Sequence, residues 1–165
     1  MPKTLALLLL ACTLLTACTT IHPLRQQLHD DADRIKIGIV TSTWHFAAQF
    51  GMFDNYFDAM TDDAVFMGTD ATERWTKSEF MDYAREPFSD NHGWTYKPSD
   101  QHVGFSDDRQ TAWIDEILTH KSYGTLRGTG VLVKVGDDWK IAHYSLTFLV
   151  PNDLASEVVK VIGSE

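Results

Sequence analysis

The sequence has few cysteines, few basic residues and, beyond its first residues, no long hydrophobic run. Its two cysteines are Cys12 and Cys18, so the chain after residue 18 can form neither a disulfide nor a cysteine nucleophile. Lysine and arginine together number 14 against 23 acidic residues, and the formal net charge is −9. This balance argues against nucleic acid as a partner, because phosphates require a basic surface, and against electrostatic adhesion to anionic lipid. No later stretch reaches the roughly 18 apolar residues of a membrane-spanning helix.

The first residues combine a positive charge, a short apolar core and a cysteine. Lys3 precedes an apolar stretch that is too short to span a bilayer, and Leu15-Thr16-Ala17-Cys18 follows it. This run resembles the lipobox of bacterial lipoproteins, which implies removal of residues 1–17 as a signal peptide and lipid attachment to Cys18. The alternatives are an ordinary signal peptide cut after Ala17 and an uncleaved anchor.

The resemblance to lipoproteins also implies a location. Residues 18–30 are expected to be the lipidated cysteine and a tether, and residues 31–165 the domain. The lipid would hold the protein to a bacterial cell envelope. The residue after Cys18 is Thr19 and not the Asp typical of lipoproteins that stay at the inner membrane. It resembles the pattern of lipoproteins sent to an outer membrane, so we expect the domain to face the periplasm.

Helical signals dominate the first half of the domain. Acidic residues from Asp30 to Asp33 open a helix whose apolar spacing continues to Phe50 and which Gly51 ends. A second, shorter helix is predicted from Phe53 to Met60, with a strand from Ala64 to Thr69. The run Thr76-Lys77-Ser78-Glu79 is a capping box between staple residues Trp75 and Phe80, and it predicts a helix from Lys77 to about Glu86.

Strand signals dominate the second half. Turn residues separate predicted strands over residues 101–106, 110–120, 126–135 and 139–149, and a final helix begins after Pro151. Helices followed by a long meander predict an α+β domain in which a curved antiparallel sheet packs on helices.

Centring each hairpin on its turn sorts the strand side chains onto two faces. One face holds Asp115, Arg127 and His143 among bulky apolar residues. Because charged groups beside tryptophans are costly to bury unless they are paired, this face predicts a polar cavity in an apolar wall. The other face, with Glu116 and Tyr144, is almost wholly apolar and predicts tight packing or a subunit interface.

Three segments carry a family resemblance, and they occur in a specific order: the run from Phe57 to Phe66 followed by Trp75, the run Arg127-Gly128-Thr129-Gly130, and the run from Asp138 to Ser145. Together they resemble the SnoaL-like domain of the nuclear transport factor 2-like superfamily, over roughly residues 31–151. The resemblance implies a cone-shaped α+β fold in which a strongly bent antiparallel sheet wraps around N-terminal helices. The family includes isomerases, dehydratases and cyclases as well as domains that only bind or assemble, and homodimers are frequent in it.

The polar candidates have both a catalytic and a structural interpretation. Asp115 and His143 could act as general base and general acid, or they could form a structural network. Arg127 could hold a ligand carboxylate or pair with Asp115 or Asp70. Asp70 could lie at the pocket mouth or form an Asx turn.

The aromatic candidates for ligand contacts are Trp113, Trp75, Trp44 and Tyr56. Trp75 is also the predicted staple residue, and Trp44 and Tyr56 could instead be core residues. His45 is interpreted as a helix-surface residue. The histidines show no zinc-like spacing, and no phosphate loop or dinucleotide fingerprint occurs, so we expect neither a metal nor a cofactor.

The leading hypothesis is therefore an envelope-anchored protein that binds a small, partly apolar molecule. One alternative is a cofactor-free isomerase, dehydratase or cyclase that uses Asp115 and His143. The other is an assembly module that forms a homodimer through the face of Glu116 and Tyr144.

Overall fold

A computed structural model describes residues 27–90 and 92–163 of the chain. The predicted signal peptide and the predicted lipidation site at Cys18 lie outside these residues. The chain divides into two units, residues 1–38 and residues 39–165. The described part of the first unit, residues 27–38, is helical, so the end of the predicted tether is helix and not extended chain.

The first helix follows the predicted pattern, whereas the second is shorter than predicted because Met60 already belongs to a strand. Helix α1 covers residues 27–49 and ends just before Gly51, and the β-branched stretch from Ile35 to Val40 is helical as predicted. Helix α2 is Phe53–Asp58. No helix in the described part of the chain has both the length and the apolar composition needed to cross a bilayer.

Helix α3, Lys77–Ala84, begins at the predicted capping box. The Thr76 hydroxyl accepts a hydrogen bond from the Glu79 amide at 3.4 Å, and the Glu79 carboxylate accepts one from the Thr76 amide at 2.8 Å. The predicted staple is also present, because the rings of Trp75 and Phe80 stack with centroids 5.6 Å apart. A short 3₁₀ turn, Asn152–Leu154, leads into the last helix, α4, Ala155–Ile162.

Six strands form one sheet in the order β2-β1-β6-β5-β4-β3. Their bounds are β1 Met60–Met67, β2 Arg74–Thr76, β3 Lys97–Phe105, β4 Thr111–His120, β5 Gly124–Val135 and β6 Asp138–Phe148. The sheet is curled but not closed, and the predicted α+β cone is confirmed. Four neighbouring pairs are antiparallel, whereas β1 runs parallel to β6, so the sheet is mixed.

The hairpin registers agree with prediction in part. Val131 lies opposite His143, as predicted, whereas Asp115 lies opposite Thr129 and not Val131. This two-residue shift between β4 and β5 leaves the side chains of both strands on their predicted faces. A bulge near Ala142, which alternation alone cannot reveal, brings Trp139 and Ile141 to the face opposite His143, where both are buried.

One face of the sheet has a predicted role and the other does not: the face of Glu116 and Tyr144 is tightly packed, whereas the other face lines no interior pocket in the described part of the chain. Glu116 and Tyr144 are each 1 % exposed, so their face is the buried interior and not a subunit interface. The face predicted to line a pocket is the outer one, where Trp113 is 51 % exposed. Strand alternation sorts side chains into two sets, but which set becomes the interior depends on the side that the helices cover. Here Trp44 of α1 packs edge-on against Tyr144.

Candidate functional site

A buried carboxylate, Glu116 of β4, lies at the centre of a polar cluster inside the protein. Its Oε1 lies 2.8 Å from His45 Nε2 and accepts a 2.7 Å hydrogen bond from the Tyr144 hydroxyl. Its Oε2 accepts a 3.0 Å bond from the Gln101 amide, which also donates to Thr41 Oγ1 at 2.9 Å. A carboxylate removed from water needs several donors, and this cluster supplies three from three different elements.

A β-bulge brings the Gln101 amide to the carboxylate. Between the Ser99–Ile117 and His102–Asp115 pairs, β3 contains one residue more than β4. Asp100 absorbs the irregularity with φ 48°, a left-handed conformation that aspartate tolerates better than most residues. As a result Gln101, opposite Glu116, directs its side chain inward.

Tyr144 reaches Glu116 by crossing an intervening strand. Tyr144 lies on β6 and Glu116 on β4, and between them Gly128 and Gly130 of β5 leave the sheet surface bare. A Cβ atom at Gly128 would lie 2.0 Å from the Tyr144 hydroxyl oxygen, and one at Gly130 would lie 3.0 Å from the Tyr144 ring. The two glycines therefore make room for the tyrosine.

The cluster keeps Glu116 ionised and Tyr144 protonated. Burial alone would raise the pKa of Glu116, but the hydrogen bond and charge of His45, with the bonds from Tyr144 and Gln101, lower it overall. Burial raises the pKa of the Tyr144 phenol well above its usual value, and the charge of Glu116 raises it further. Glu116 is therefore an acceptor for all three neighbours.

An aromatic cavity of about 280 Å³ opens beside this cluster. One wall contains Trp75 and Tyr83, whose rings stack at 4.7 Å, with Trp94 beside Tyr83 at 6.3 Å. The full lining comprises Phe66, Gly68, Thr69, Glu73, Trp75, Phe80, Tyr83, Pro87, Trp94, Tyr96, His120, Tyr123 and Leu146. A mostly apolar cavity with a few polar groups is the usual composition of a small-molecule site.

A second wall is built around His120 at the end of β4. Its ring lies between those of Tyr96 and Tyr123, at 4.9 Å and 4.7 Å. The Nδ1 atom accepts hydrogen bonds from the amides of Ser122 and Tyr123, each at 3.2 Å. Because Nδ1 accepts both bonds, the ring proton is on Nε2. His120 therefore has an N–H donor in addition to its bonds with the two backbone amides.

A smaller void of about 10 Å³ lies next to the aromatic cavity and borders the polar cluster. It shares Phe66, Trp94, Tyr96 and Leu146 with the larger cavity and is also lined by His45 and Tyr144. Trp44 lines it as well, and the buried Trp44 Nε1 has no hydrogen-bond partner among the described residues. The small void, unlike the larger cavity, is therefore bordered by groups of the polar cluster.

Three of the predicted ligand contacts lie at these cavities. Trp75 lines the larger cavity, while Trp44 and Tyr56 line the inner void and stack on each other at 4.7 Å. Trp44 and Tyr56 are also core residues, which was their alternative interpretation, because they are 2 % and 1 % exposed.

The predicted catalytic pair lies elsewhere. Asp115 and His143 are on the outer face, and neither lines the aromatic cavity or the inner void. His143 Nε2 lies 3.4 Å from Met67 Sδ, and its pKa is lowered by burial and by the nearby charge of Arg74. The structure therefore does not bring Asp115 and His143 together in the cavity that the catalytic hypothesis required.

The remaining predicted contacts also lie outside the cavity. Trp113 packs its indole over Gly104 on the outer face, and Arg127 is exposed there. Among the described residues no ion pair joins Arg127 to Asp115 or Asp70. Asp70 forms the Asx turn that was its alternative interpretation: it accepts a 2.8 Å bond from the Thr72 amide, and hydrogen bonds from Thr72 lower its pKa.

The central residues of the cluster were missed, although the sequence contains two signals for them. Glu116 is the single carboxylate on an otherwise apolar strand face, which indicates a carboxylate that must find donors inside the protein. His45 occupies the helical stripe shared with Ile37, Thr41, Trp44 and Ala48 and is 8 % exposed, so it is not the surface residue that we predicted.

Histidine and carboxylate side chains are the candidates for holding a metal ion. Within residues 27–90 and 92–163, no group of three histidine, cysteine, aspartate or glutamate side chains is close enough to hold a metal ion. The site has instead an aromatic cavity, a buried carboxylate–histidine pair and a phenol.

A curled sheet around an internal cavity defines the class of fold. Residues 39–151 match the model of the SnoaL-like domain family, and the chain therefore belongs to that family. No curated protein matches the sequence significantly.

Similar solved structures agree with this fold. A domain of unknown function with a cystatin-like fold from Nostoc punctiforme has a TM-score of 0.66 at 14 % identity, covering 81 % of this chain and 88 % of its own. An NTF2-like protein of unknown function from Pseudomonas putida has a TM-score of 0.61 at 14 % identity, covering 76 % and 92 %. An NTF2-like protein from Cytophaga hutchinsonii has a TM-score of 0.59 at 18 % identity, covering 70 % and 98 %. At these identities the likeness concerns the fold alone.

Proposed function

We propose that this protein binds a small, partly apolar molecule in the aromatic cavity, in a domain that Cys18 attaches to the cell envelope. One observation carries the proposal of binding: a cavity of about 280 Å³ is lined by two groups of aromatic rings, and a small void bordered by the polar cluster lies next to it. The rings supply apolar contact, and the inner polar groups would orient a ligand.

A cavity-filling variant tests the proposal of binding. Thr69 lines the cavity and is half-buried, so Thr69→Trp places an indole where the ligand would lie. Thr129→Trp is the matched control, because Thr129 is exposed on the outer face. A ligand that binds only the folded state raises the melting temperature, and we expect a compound library to give such shifts in wild type and in Thr129→Trp but not in Thr69→Trp. Shifts that survive Thr69→Trp, or a library without any hit, would reject the proposal.

A second candidate function is acid–base catalysis without a cofactor. It is favoured by the carboxylate–histidine pair that Glu116 and His45 form at 2.8 Å, because His45 also borders the inner void. Such a pair can hold or move a proton, and the void of about 10 Å³ beside His45 has room for one water that would relay the proton to a carbonyl compound in the larger cavity. In this form the catalytic hypothesis has the same chemistry as the predicted pair of Asp115 and His143 but uses the interior of the protein.

Proton exchange tests catalysis without knowledge of the substrate. If the protein is a catalyst, we expect it to accelerate deuterium incorporation beside the carbonyl of at least one member of a panel of small ketones in heavy water. NMR measures the incorporation. Glu116→Gln should abolish the acceleration, whereas Asp115→Asn should preserve it. Equal exchange rates with wild type and Glu116→Gln across the panel would argue against catalysis and leave binding as the function.

A further inference from the structure

The charge inside the aromatic cavity has one sign. Glu73 is the single acidic residue in its lining, and no lysine or arginine lines it. The described part of the chain provides no ion pair for Glu73. Its carboxylate accepts a 3.1 Å hydrogen bond from the Asp70 amide, which fixes it without neutralising it.

Local geometry holds this carboxylate beside the cavity. The Gly68 amide donates a 2.9 Å bond to the Glu73 carbonyl, so the loop between β1 and β2 closes at these two residues. A Cβ at Gly68 would lie 2.1 Å from Glu73 Oε2. The glycine therefore provides the space that the carboxylate occupies, and both residues line the cavity.

The phenols around the cavity experience this negative charge. Burial is the main reason that the pKa of Tyr96 is raised to about 12, and the charges of Tyr123 and Glu73 add to it. Burial also raises the pKa of Tyr83, with Glu73 as the next contribution. Three tyrosines, two tryptophans and one carboxylate thus surround a common space, and the aromatic faces and the carboxylate attract the same sign of charge.

We propose that the cavity selects an organic cation of the alkylammonium class, whose head group contacts the rings of Trp75 and Tyr83 and is neutralised by Glu73. This inference rests on the proposed binding function and adds the charge of the ligand. An alkylammonium head makes many weak contacts with aromatic faces and needs no directional hydrogen bond, which suits a site of rings and one carboxylate. A neutral aromatic molecule could also stack between the two walls, and that is the competing outcome of the test.

Isosteric pairs of probes isolate the effect of charge. Choline and 3,3-dimethylbutan-1-ol have the same shape but differ in the nitrogen and its charge, and the pair of benzyltrimethylammonium and neopentylbenzene adds a ring. Calorimetric titration of the purified full chain should show each cation binding about tenfold or more tightly than its neutral partner. Glu73→Gln should remove most of this preference, whereas Glu157→Gln on α4, which does not line the cavity, should leave it unchanged.

The outcomes separate this inference from the proposed function. Equal or tighter binding of the neutral probes, abolished by Thr69→Trp, would overturn the inference and leave the binding function intact. A preference for cations that persists in Glu73→Gln would overturn the role assigned to the carboxylate. Binding of a probe that survives Thr69→Trp would overturn both the function and the inference. No binding of any of the four probes would overturn the inference, whereas the function falls only if the compound library also gives no hit.

Discussion

The hydroxyl of Tyr144 donates a 2.7 Å hydrogen bond to Glu116 although a whole strand lies between the two residues. The contact is possible because the phenol passes over Gly128, where a Cβ would lie 2.0 Å from the hydroxyl oxygen. One short bond therefore depends on three neighbouring strands, and its phenol also borders the small void next to the cavity.

Substitution of the intervening glycine tests this arrangement. Gly128→Ala should destabilise the protein by about 1–3 kcal/mol, because the methyl group displaces the Tyr144 phenol. Tyr144→Phe removes the clashing oxygen, so the double variant should cost less than the sum of the two single variants. Chemical denaturation measures all four proteins, and strictly additive costs would contradict the proposed crossing.

The depressed pKa of Glu116 predicts acid sensitivity. The unfolded carboxyl takes up its proton near the ordinary value of 4.5, and the folded one does so only at lower pH. The stabilisation is therefore complete above about pH 4.5 and is lost as the pH falls through the folded pKa. Between pH 5 and pH 3 we expect the unfolding free energy of wild type to fall more steeply than that of Glu116→Gln. Parallel curves would contradict the depressed pKa.

The capping box supports one wall of the cavity, since α3 carries Tyr83 and follows Trp75 directly. Thr76→Ala should cost about 1 kcal/mol of stability, because the Glu79 amide loses its acceptor. Thr76→Ser, which retains a hydroxyl, serves as the control and should cost clearly less. The midpoints of thermal unfolding compare the three proteins, and equal midpoints would show that the cap does not contribute.

Lipid attachment is a separate prediction from the sequence. Cells fed labelled palmitate should incorporate label into the wild-type protein, which should fractionate with the membrane. Cys18→Ser should lose the label, while Cys12→Ser, within the predicted signal peptide, should retain it. Label in Cys18→Ser, or none in wild type, would reject the lipoprotein assignment.

Local signals in the sequence predicted much of the fold, because helix caps and turns are determined by the chemistry of a few adjacent residues. The capping box at Thr76 and the turns of the C-terminal hairpins each depend on a few adjacent residues. The structure contains the capping box and the last hairpin as predicted, and the hairpin of β4 and β5 with its register shifted by two residues. The family resemblance supplied the curvature of the sheet. The parallel pairing of β1 with β6 depends on residues about 80 positions apart, and no local pattern reports it.

The site was harder to predict, because its position depends on which face of the sheet is covered. Asp115, Arg127 and His143 drew attention as charged residues on one face, but an outer face can carry charges at little cost. Glu116 was not predicted as a site residue because it is the single charged residue on an apolar face. A carboxylate on such a face is buried with the apolar residues and therefore needs hydrogen-bond donors from other elements. The bulge that supplies Gln101, and the loop residues Glu73 and Tyr123, have no periodic signal.

A crystal structure with the ligand that gives the largest thermal shift tests the central claim most directly. Binding in the aromatic cavity predicts ligand density between the wall of Trp75 and Tyr83 and the wall of His120 and Tyr123. Density on the outer face, beside Asp115 and His143, would contradict it.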